Sequence, residues 1–271
     1  MKKLKILAAM LTTLLLATLL ISGCQTILVP KNGETETGEM ETRQYDFGEF
    51  TRLDISSAFI YEIMQSDTYS VSITANNNMF DDIEIAQKGQ TLIIGIEFPE
   101  FHWAIFNNNP SLKAVITMPQ LDVLDSSGAT HGIVADFSST EKLDVTVSGA
   151  SSVELVEIST GDITLNVSGA GKVTGNIEAK NMELEVSGAS TVQLKGSAGS
   201  IAAVVSGASH LKLADLKVEN ANVILSGASN GTVNLDGNLD AKLSGASTLE
   251  YIGEPALGIM DITGASTLKK K

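Results

Sequence analysis

The stretch around residues 182–195 alternates apolar and polar positions with a period of two, the mark of strands that bury one face. Met182, Leu184 and Val186 fall on one side, with Glu183 and Glu185 on the other. A few residues later Val192 and Leu194 face inward while Gln193 and Lys195 face outward. The same inward pair returns as Val153/Leu155, Leu211/Leu213 and Val233/Leu235. Tyr69–Thr74 and Leu92–Ile96 read as further strands, and Leu53–Ala58 echoes the sequence Leu121–Ala129 without its glycine.

Between the paired strands sits one recurring tetrapeptide. It runs Ser127-Gly128-Ala129-Thr130, Ser148-Gly149-Ala150-Ser151, Ser168-Gly169-Ala170-Gly171 and Ser187-Gly188-Ala189-Ser190. It continues as Ser206-Gly207-Ala208-Ser209, Ser226-Gly227-Ala228-Ser229, Ser244-Gly245-Ala246-Ser247 and Thr263-Gly264-Ala265-Ser266. Successive glycines are 21, 20, 19, 19, 20, 18 and 19 residues apart. A fixed period with short variable insertions is the signature of a solenoid. Each rung is then strand, small-residue corner, strand and variable turn. Glycine permits a positive φ at the corner, and Ser and Ala stack there without clashing between rungs. Rungs about 4.8 Å apart make a rod on the order of 40 Å long, right-handed by the crossover rule. The expected fold is all-β, a right-handed parallel β-helix with rungs of about 19 residues over 121–271. Residues 45–120 are expected to be a β-rich N-terminal cap or degenerate rungs, because a solenoid must cover its first apolar layer. Lys269-Lys270-Lys271 puts charge on the last edge, which should discourage end-to-end stacking.

Composition adds an address. Residues 1–23 read as a signal peptide: a basic start with Lys2, Lys3 and Lys5, then an apolar run from Ile6 to Ile21. The run ends in Ile21-Ser22-Gly23-Cys24, a bacterial lipobox whose thiol accepts a diacylglyceryl group. Cys24 is the chain's one cysteine, so it is the expected lipidation site and no internal disulfide exists. Residues 24–44 follow as a polar, acidic stalk. The expected location is the cell envelope, lipid-anchored to a membrane through Cys24 and facing away from the cytoplasm, at the outer membrane or cell surface. Removing the three lysines of the first 23 residues takes the formal net charge from −14 to −17. A polyanion of this kind is repelled by nucleic acid, which is excluded as a partner.

The ordered set of motifs resembles a bacterial family, the putative auto-transporter adhesin, head GIN domain. The resemblance rests on Val115-Ile116-Thr117-Met118-Pro119-Gln120-Leu121, the tetrapeptide series, and Ser244–Pro255 with a final Gly-Ala-Ser. It spans residues 47–268 and departs from the pattern at Gly171, where a serine is expected. It implies a secreted or cell-surface β-helical protein and carries over no catalytic residues.

Some parallel β-helices are polysaccharide lyases or hydrolases, whose chemistry needs carboxylates, or Asp with Lys or Arg, at matching positions on neighbouring rungs. The outward column after the corner reads Glu154, Thr174, Gln193, Lys212, Asn234 and Glu250, a mixed set. The only arginines, Arg43 and Arg52, precede the repeats, and His102, His131 and His210 are scattered. Eight tetrapeptide serines cannot be eight nucleophiles; packing at the corner with hydroxyls bonding along the stack explains them better. Asp81, Asp82 and Glu84 read as a solvated turn rather than a calcium site, so no metal and no cofactor is expected. Two apolar features remain. Twelve of the 13 aromatics lie at or before Phe137, and Phe98, Phe101, Trp103 and Phe106 crowd one segment, either as a platform for a sugar or protein or as a plug for the rod. Ala202, Val204 and Ile224 occupy normally polar outward positions and should lie together on adjacent rungs. The function expected is a non-enzymatic cell-envelope lipoprotein presenting a rigid surface for binding, as an adhesin or scaffold, with a glycan or surface protein as ligand. The alternative is a carbohydrate-active β-helix enzyme.

Overall fold

The computed structural model describes residues 39–97 and 112–271. Strands dominate, and the one helical element among the described residues is a 3-10 turn at Asn77–Met79. In chain order the strands are β1 (Met40–Tyr45), β2 (Arg52–Ile55), β3 (Ile60–Gln65), β4 (Ser70–Asn76), β5 (Ile83–Lys88), β6 (Thr91–Ile96) and β7 (Lys113–Met118). Then follow β8 (Val123–Ser126), β9 (His131–Ala135), β10 (Leu143–Val147), β11 (Ser152–Val167), β12 (Lys172–Val186), β13 (Thr191–Val205) and β14 (His210–Leu225). The last are β15 (Asn230–Leu235), β16 (Asn238–Leu243), β17 (Thr248–Ile252), β18 (Ala256–Ile262) and β19 (Thr267–Lys270).

The strands form a parallel β-solenoid of two principal ladders meeting at the tetrapeptide corner. The ladder before the corner runs β6, β2, β8, β10, the second halves of β11 to β14, β16 and β18. The ladder after it runs β7, β3, β9, the first halves of β11 to β14, β15, β17 and β19. The period-two pattern therefore becomes columns. Leu165, Leu184, Ala203, Val223 and Ala241 stack at one inward position, and Val167, Val186, Val205, Leu225 and Leu243 at the next, all buried. Burying each Leu or Val contributes about 1.5–3 kcal/mol, and every rung repeats that contribution against the same neighbours.

The corner shows why the motif is invariant in its second residue. Its glycines take φ between +71 and +81°, where a side chain is strained. A Cβ on Gly149 would also lie 2.4 Å from the Gly128 carbonyl oxygen of the rung below. That close approach lets the Ala150 N–H donate to Gly128 O at 2.7 Å, and the same bond recurs up to Ala265, which donates to Gly245 O. The fourth residue turns inward: Thr130, Ser151, Ser190, Ser209, Ser229 and Ser247 are buried. Their hydroxyls find backbone carbonyls, as when Ser209 Oγ donates to Gly188 O (3.3 Å) and Ser229 Oγ to Ser226 O (2.8 Å). The third copy differs because a Cβ on Gly171 would come within 2.9 Å of the Val167 Cγ1 methyl.

The N-terminal region is built in a different order from its sequence. β2 and β3 form a full rung, with Ser57 at φ +73° where later rungs place glycine, and Ala129 N donating to its carbonyl at 2.6 Å. The rung beneath, β6 with β7, comes later in the chain. After β3 the chain runs back as β4, antiparallel to β7, and then as β5, antiparallel to β6, while β1 lies antiparallel against β4. Phe50, Phe59 and Tyr61 are fully buried there. Tyr61 has room because Gly132 stacks above it: a Cβ at 132 would fall 2.0 Å from the ring. Its hydroxyl donates to Ser126 Oγ at 2.9 Å.

One expected register is corrected. Val233 and Leu235 are buried, but the residue level with Leu211 and Leu249 is Gly231. The outward column is therefore Glu154, Thr174, Gln193, Lys212, Thr232, Glu250, and Asn234 sits two residues further along, beside Lys217. Gly231 leaves space that Leu249 and Leu225 fill, their Cδ atoms 3.0 and 3.3 Å from where a Cβ would be.

Candidate functional site

The outward face of the ladder before the corner carries the main surface feature. At the start of this ladder, Asp162, Asn181, Ser200 and Asn220 occupy one register position on consecutive rungs, and Asn238 follows on the next. Each stands six residues ahead of the first serine of its tetrapeptide. Their bonds run to the rung below: Asn181 Nδ2 donates to Asp162 Oδ1 (2.8 Å), Ser200 Oγ to Asn181 Oδ1 (2.6 Å), and Asn238 Nδ2 to Asn220 Oδ1 (3.1 Å). An amide has two N–H donors and two acceptor lone pairs, so these bonds leave hydrogen-bonding capacity for a ligand.

The ladder forms one wall of a groove of about 640 Å³ that also takes in Thr164, Glu183, Ala202, Asn222, Asp240 and Lys142. Thr164, Glu183, Ala202 and Asn222 make its second column, with Asp240 above them. Lys142 pairs with Asp144 at 2.7 Å, and that hydrogen bond holds its ammonium above the usual lysine range, with Glu183 and Asp162 adding attraction. Asp240 is partly committed: its Oδ1 accepts from the Ile259 N–H at 2.6 Å. Beside the groove toward the corner, Val204 lies level with Ile224 on the next rung and shares its own strand with Ala202. Val204 is 46% exposed. Glu185 flanks this apolar spot on one side and Lys242 on the other. The same face thus presents amides and carboxylates along one edge and methyl groups along the other.

The other ladder carries a smaller hollow of about 290 Å³, walled by Glu154, Thr174, Gln193, Glu157, Asn176, Lys195 and Asp215. Asn176 Nδ2 donates to Glu157 Oε1 at 2.7 Å. His131 and Ser152 meet on this ladder, Ser152 Oγ lying 3.2 Å from His131 Nδ1. That nitrogen is also 2.7 Å from Thr130 O. A carbonyl only accepts, so Nδ1 carries the proton and is no base toward Ser152. Among the described residues, no group of three His, Cys, Asp or Glu is placed to hold a metal ion, and no helix is long and apolar enough to cross a membrane.

Of the residues singled out in the sequence, Ala202, Val204 and Ile224 are brought together. Cys24, Phe98, Phe101, Trp103 and Phe106 lie outside the described residues, as does His102. The polar ladder was missed, although its constant offset from the tetrapeptide was present in the sequence; it lies within β11 to β14 and at the start of β16, just ahead of the alternating apolar positions that mark the inward face.

The chain matches, over residues 49–255, the family described as putative auto-transporter adhesin, head GIN domain. Three crystal structures share the fold. A putative adhesin from Parabacteroides merdae has a TM-score of 0.76 at 19% identity, covering 86% of this chain and 97% of its own. A putative adhesin from Parabacteroides distasonis has a TM-score of 0.75 at 19% identity, covering 86% and 98%. A protein from the same organism described as a putative lipid binding protein has a TM-score of 0.73 at 21% identity, covering 86% and 97%. No curated protein matches. With its corner motif, its solenoid and a match over most of its length, the chain belongs to the adhesin-like head GIN domain family.

Proposed function

We propose that this adhesin-like protein is a non-enzymatic, lipid-anchored envelope protein whose ladder-lined groove binds a hydroxyl-rich polymer, a glycan in chemical class. The observation that carries this reading is the column Asp162, Asn181, Ser200, Asn220 and Asn238 along the groove wall. Rungs repeat about every 4.8 Å, close to the length of one sugar residue, so a linear polymer lying along the stack meets a polar group at each step: acceptors at Asp162 and Ser200, and amide N–H donors at Asn181, Asn220 and Asn238. Ala202, Val204 and Ile224 give the apolar faces of such a chain a surface to rest on. Cys24 supplies the membrane attachment through the lipobox, ahead of a solenoid unit whose first strand starts at Met40, so residues 40–44 of the expected stalk belong to β1. Phe98, Phe101, Trp103 and Phe106 are a second proposed contact.

A second reading has one observation in its favour. Asp162 and Glu183 stand on adjacent rungs in the groove with Lys142 nearby, and a glycosidase needs two carboxyl groups roughly 5–9.5 Å apart. Asp240 does not complete such a pair, because it lies three rungs from Glu183, roughly 14 Å.

The test is a glycan and envelope-polymer array probed with residues 38–271, with the same samples assayed for new reducing ends or unsaturated products. Binding without turnover, lost in Asn181→Ala/Asn220→Ala, supports the proposal, and loss in a Trp103→Ala version of the same chain adds the aromatic segment. Turnover abolished by Glu183→Gln overturns it in favour of the enzyme.

A further inference from the structure

The two ends of the solenoid are finished differently. At the N-terminal end β4 and β5 close the stack antiparallel, and Phe50, Phe80 and Met79 seal the core beneath them. The edge there is charged: Glu41 pairs with Arg43 at 2.9 Å, and the Arg43 guanidinium lies 3.9 Å over the Phe80 ring. At the other end β18 and β19 each pair on one side only, with β16 and β17. Leu257, Met260, Ile262 and Leu268 continue the inward columns of Leu239, Ala241, Leu243 and Leu249. Nothing among the described residues covers them: Leu257 is 48% and Ile262 43% exposed. With Ile259 they make three of the eight large exposed apolar side chains of the described residues, all on one strand.

The C-terminal lysines do not guard this end as their sequence suggests. Lys269 turns down to Glu250 (2.8 Å), Lys271 reaches the same carboxylate (3.7 Å), and Lys270 pairs with Glu254. The Glu250 pairs sit on the outer face, Lys270 stands level with Tyr251 on the Leu268 side of β19, and the columns ending in Leu257 and Ile262 stay open. The lysines also balance the charge. Residues 250–271 hold Glu250, Glu254 and Asp261 against Lys269, Lys270 and Lys271, a formal net of zero in a chain of −14.

We infer that the open rung formed by β18 and β19 is a self-association surface on which a second copy of this chain docks head to head. Two copies approaching side by side repel each other, because each is strongly acidic; the last rung is the place where they do not. A two-fold axis at the Gly264–Ala265 corner lays β18 of one copy antiparallel to β19 of the other. This arrangement extends both ladders with the same kind of strand-edge contact that joins the rungs. It also brings the Asp261 strand of each copy to the lysine-bearing strand of its partner, twice by symmetry. Because the two-fold contact uses the same end of both copies, and the apolar core at the opposite end is covered, the assembly closes at two and does not grow into a fibre. One rung end is smaller than the ~800 Å² per partner of a standard interface, so the dimer forms reversibly at high concentration.

Sedimentation equilibrium of residues 38–271, the compact unit that contains the whole core, over micromolar to millimolar protein tests this. The expected result is a mass rising toward twice the monomer and no further. Leu257→Glu and Ile262→Glu should each weaken association about tenfold or more, as loss of a central apolar contact does, while Val204→Glu on the side face leaves it unchanged. Ala265→Cys should give a disulfide-linked dimer under mild oxidation, and Lys180→Cys should not; this arm needs no destabilising change in the apolar columns. A monomer at every concentration, an open series of oligomers, or a dimer lost with Val204→Glu and indifferent to Leu257→Glu would each overturn the proposal.

Discussion

The N-terminal rungs and the tetrapeptide rungs solve the same geometric problem with different residues. In the repeats the corner depends on glycine at positive φ and on the closeness it allows, so each carbonyl is reached by the alanine N–H one rung up. In the β2–β3 rung Ser57 holds the same φ at +73°, and its side chain earns a place by accepting from the Ile96 N–H at 3.1 Å. The difference lies in what stacks beneath. Gly149 sits on another tetrapeptide corner, whereas the rung under Ser57 is made by β6 and β7, whose linking sequence carries no copy of the tetrapeptide. The core follows the same division: small and medium aliphatics tile the repeats, while Phe50, Phe59 and Tyr61 fill the end that must be closed.

The largest way to break this contrast is Gly188→Ala. The new Cβ would lie 2.4 Å from Gly169 O at φ +77°, and the expected loss is about 3 kcal/mol or more, read from the urea unfolding midpoint. Gly132→Val tests the other region. It drives a side chain into the Tyr61 ring, should cost about 3 kcal/mol, and should be largely rescued by Tyr61→Ala; no such rescue exists for Gly188→Ala, whose clash is with backbone. Ser57 separates strain from bonding. Ser57→Ala loses the bond from Ile96 and keeps the strained φ, Ser57→Gly loses the bond and relieves the strain, and glycine should be the more stable by about 1 kcal/mol.

The smallest effect concerns Asp54, which lies level with Asp125 on the neighbouring rung. Partial burial raises its carboxyl above the usual range, and Asp125 and Glu84 push the same way. The folded state then holds this proton more tightly than the unfolded chain. The cost of ionisation is present above the folded pKa and disappears as pH falls through it. Asp54→Asn should therefore stabilise at neutral pH by about 0.5 kcal/mol or less after solvent screening, with the gain fading in acid, as thermal melts across pH would show.

Much of this architecture could be read from residue order. The period-two flanks and the spaced glycines specify strands, corners and the inward columns, because those depend on local geometry and on rungs that repeat. The interleaving of β6 and β7 beneath β2 and β3 could not be read that way, since it is a choice among long-range partners that no local pattern encodes. The shift at Gly231 was hidden because Val233 and Leu235 satisfy the alternation equally well two residues late. The polar ladder was legible in principle: Asn181, Ser200, Asn220 and Asn238 keep one offset from their corners. The apolar trio at 202, 204 and 224 was legible because it breaks the alternation.

The claim that the ladder-lined groove is the working face is tested most directly by one affinity comparison. Binding of residues 38–271 to the strongest array ligand would be measured by calorimetry beside two variants, Asn181→Ala/Asn220→Ala in the groove and Asn176→Ala/Gln193→Ala in the hollow of the opposite ladder. The expected result is a loss of about tenfold or more for the first pair, given one to two lost hydrogen bonds, and no change for the second. Equal affinity in the groove variant, or loss confined to the opposite ladder, would contradict it.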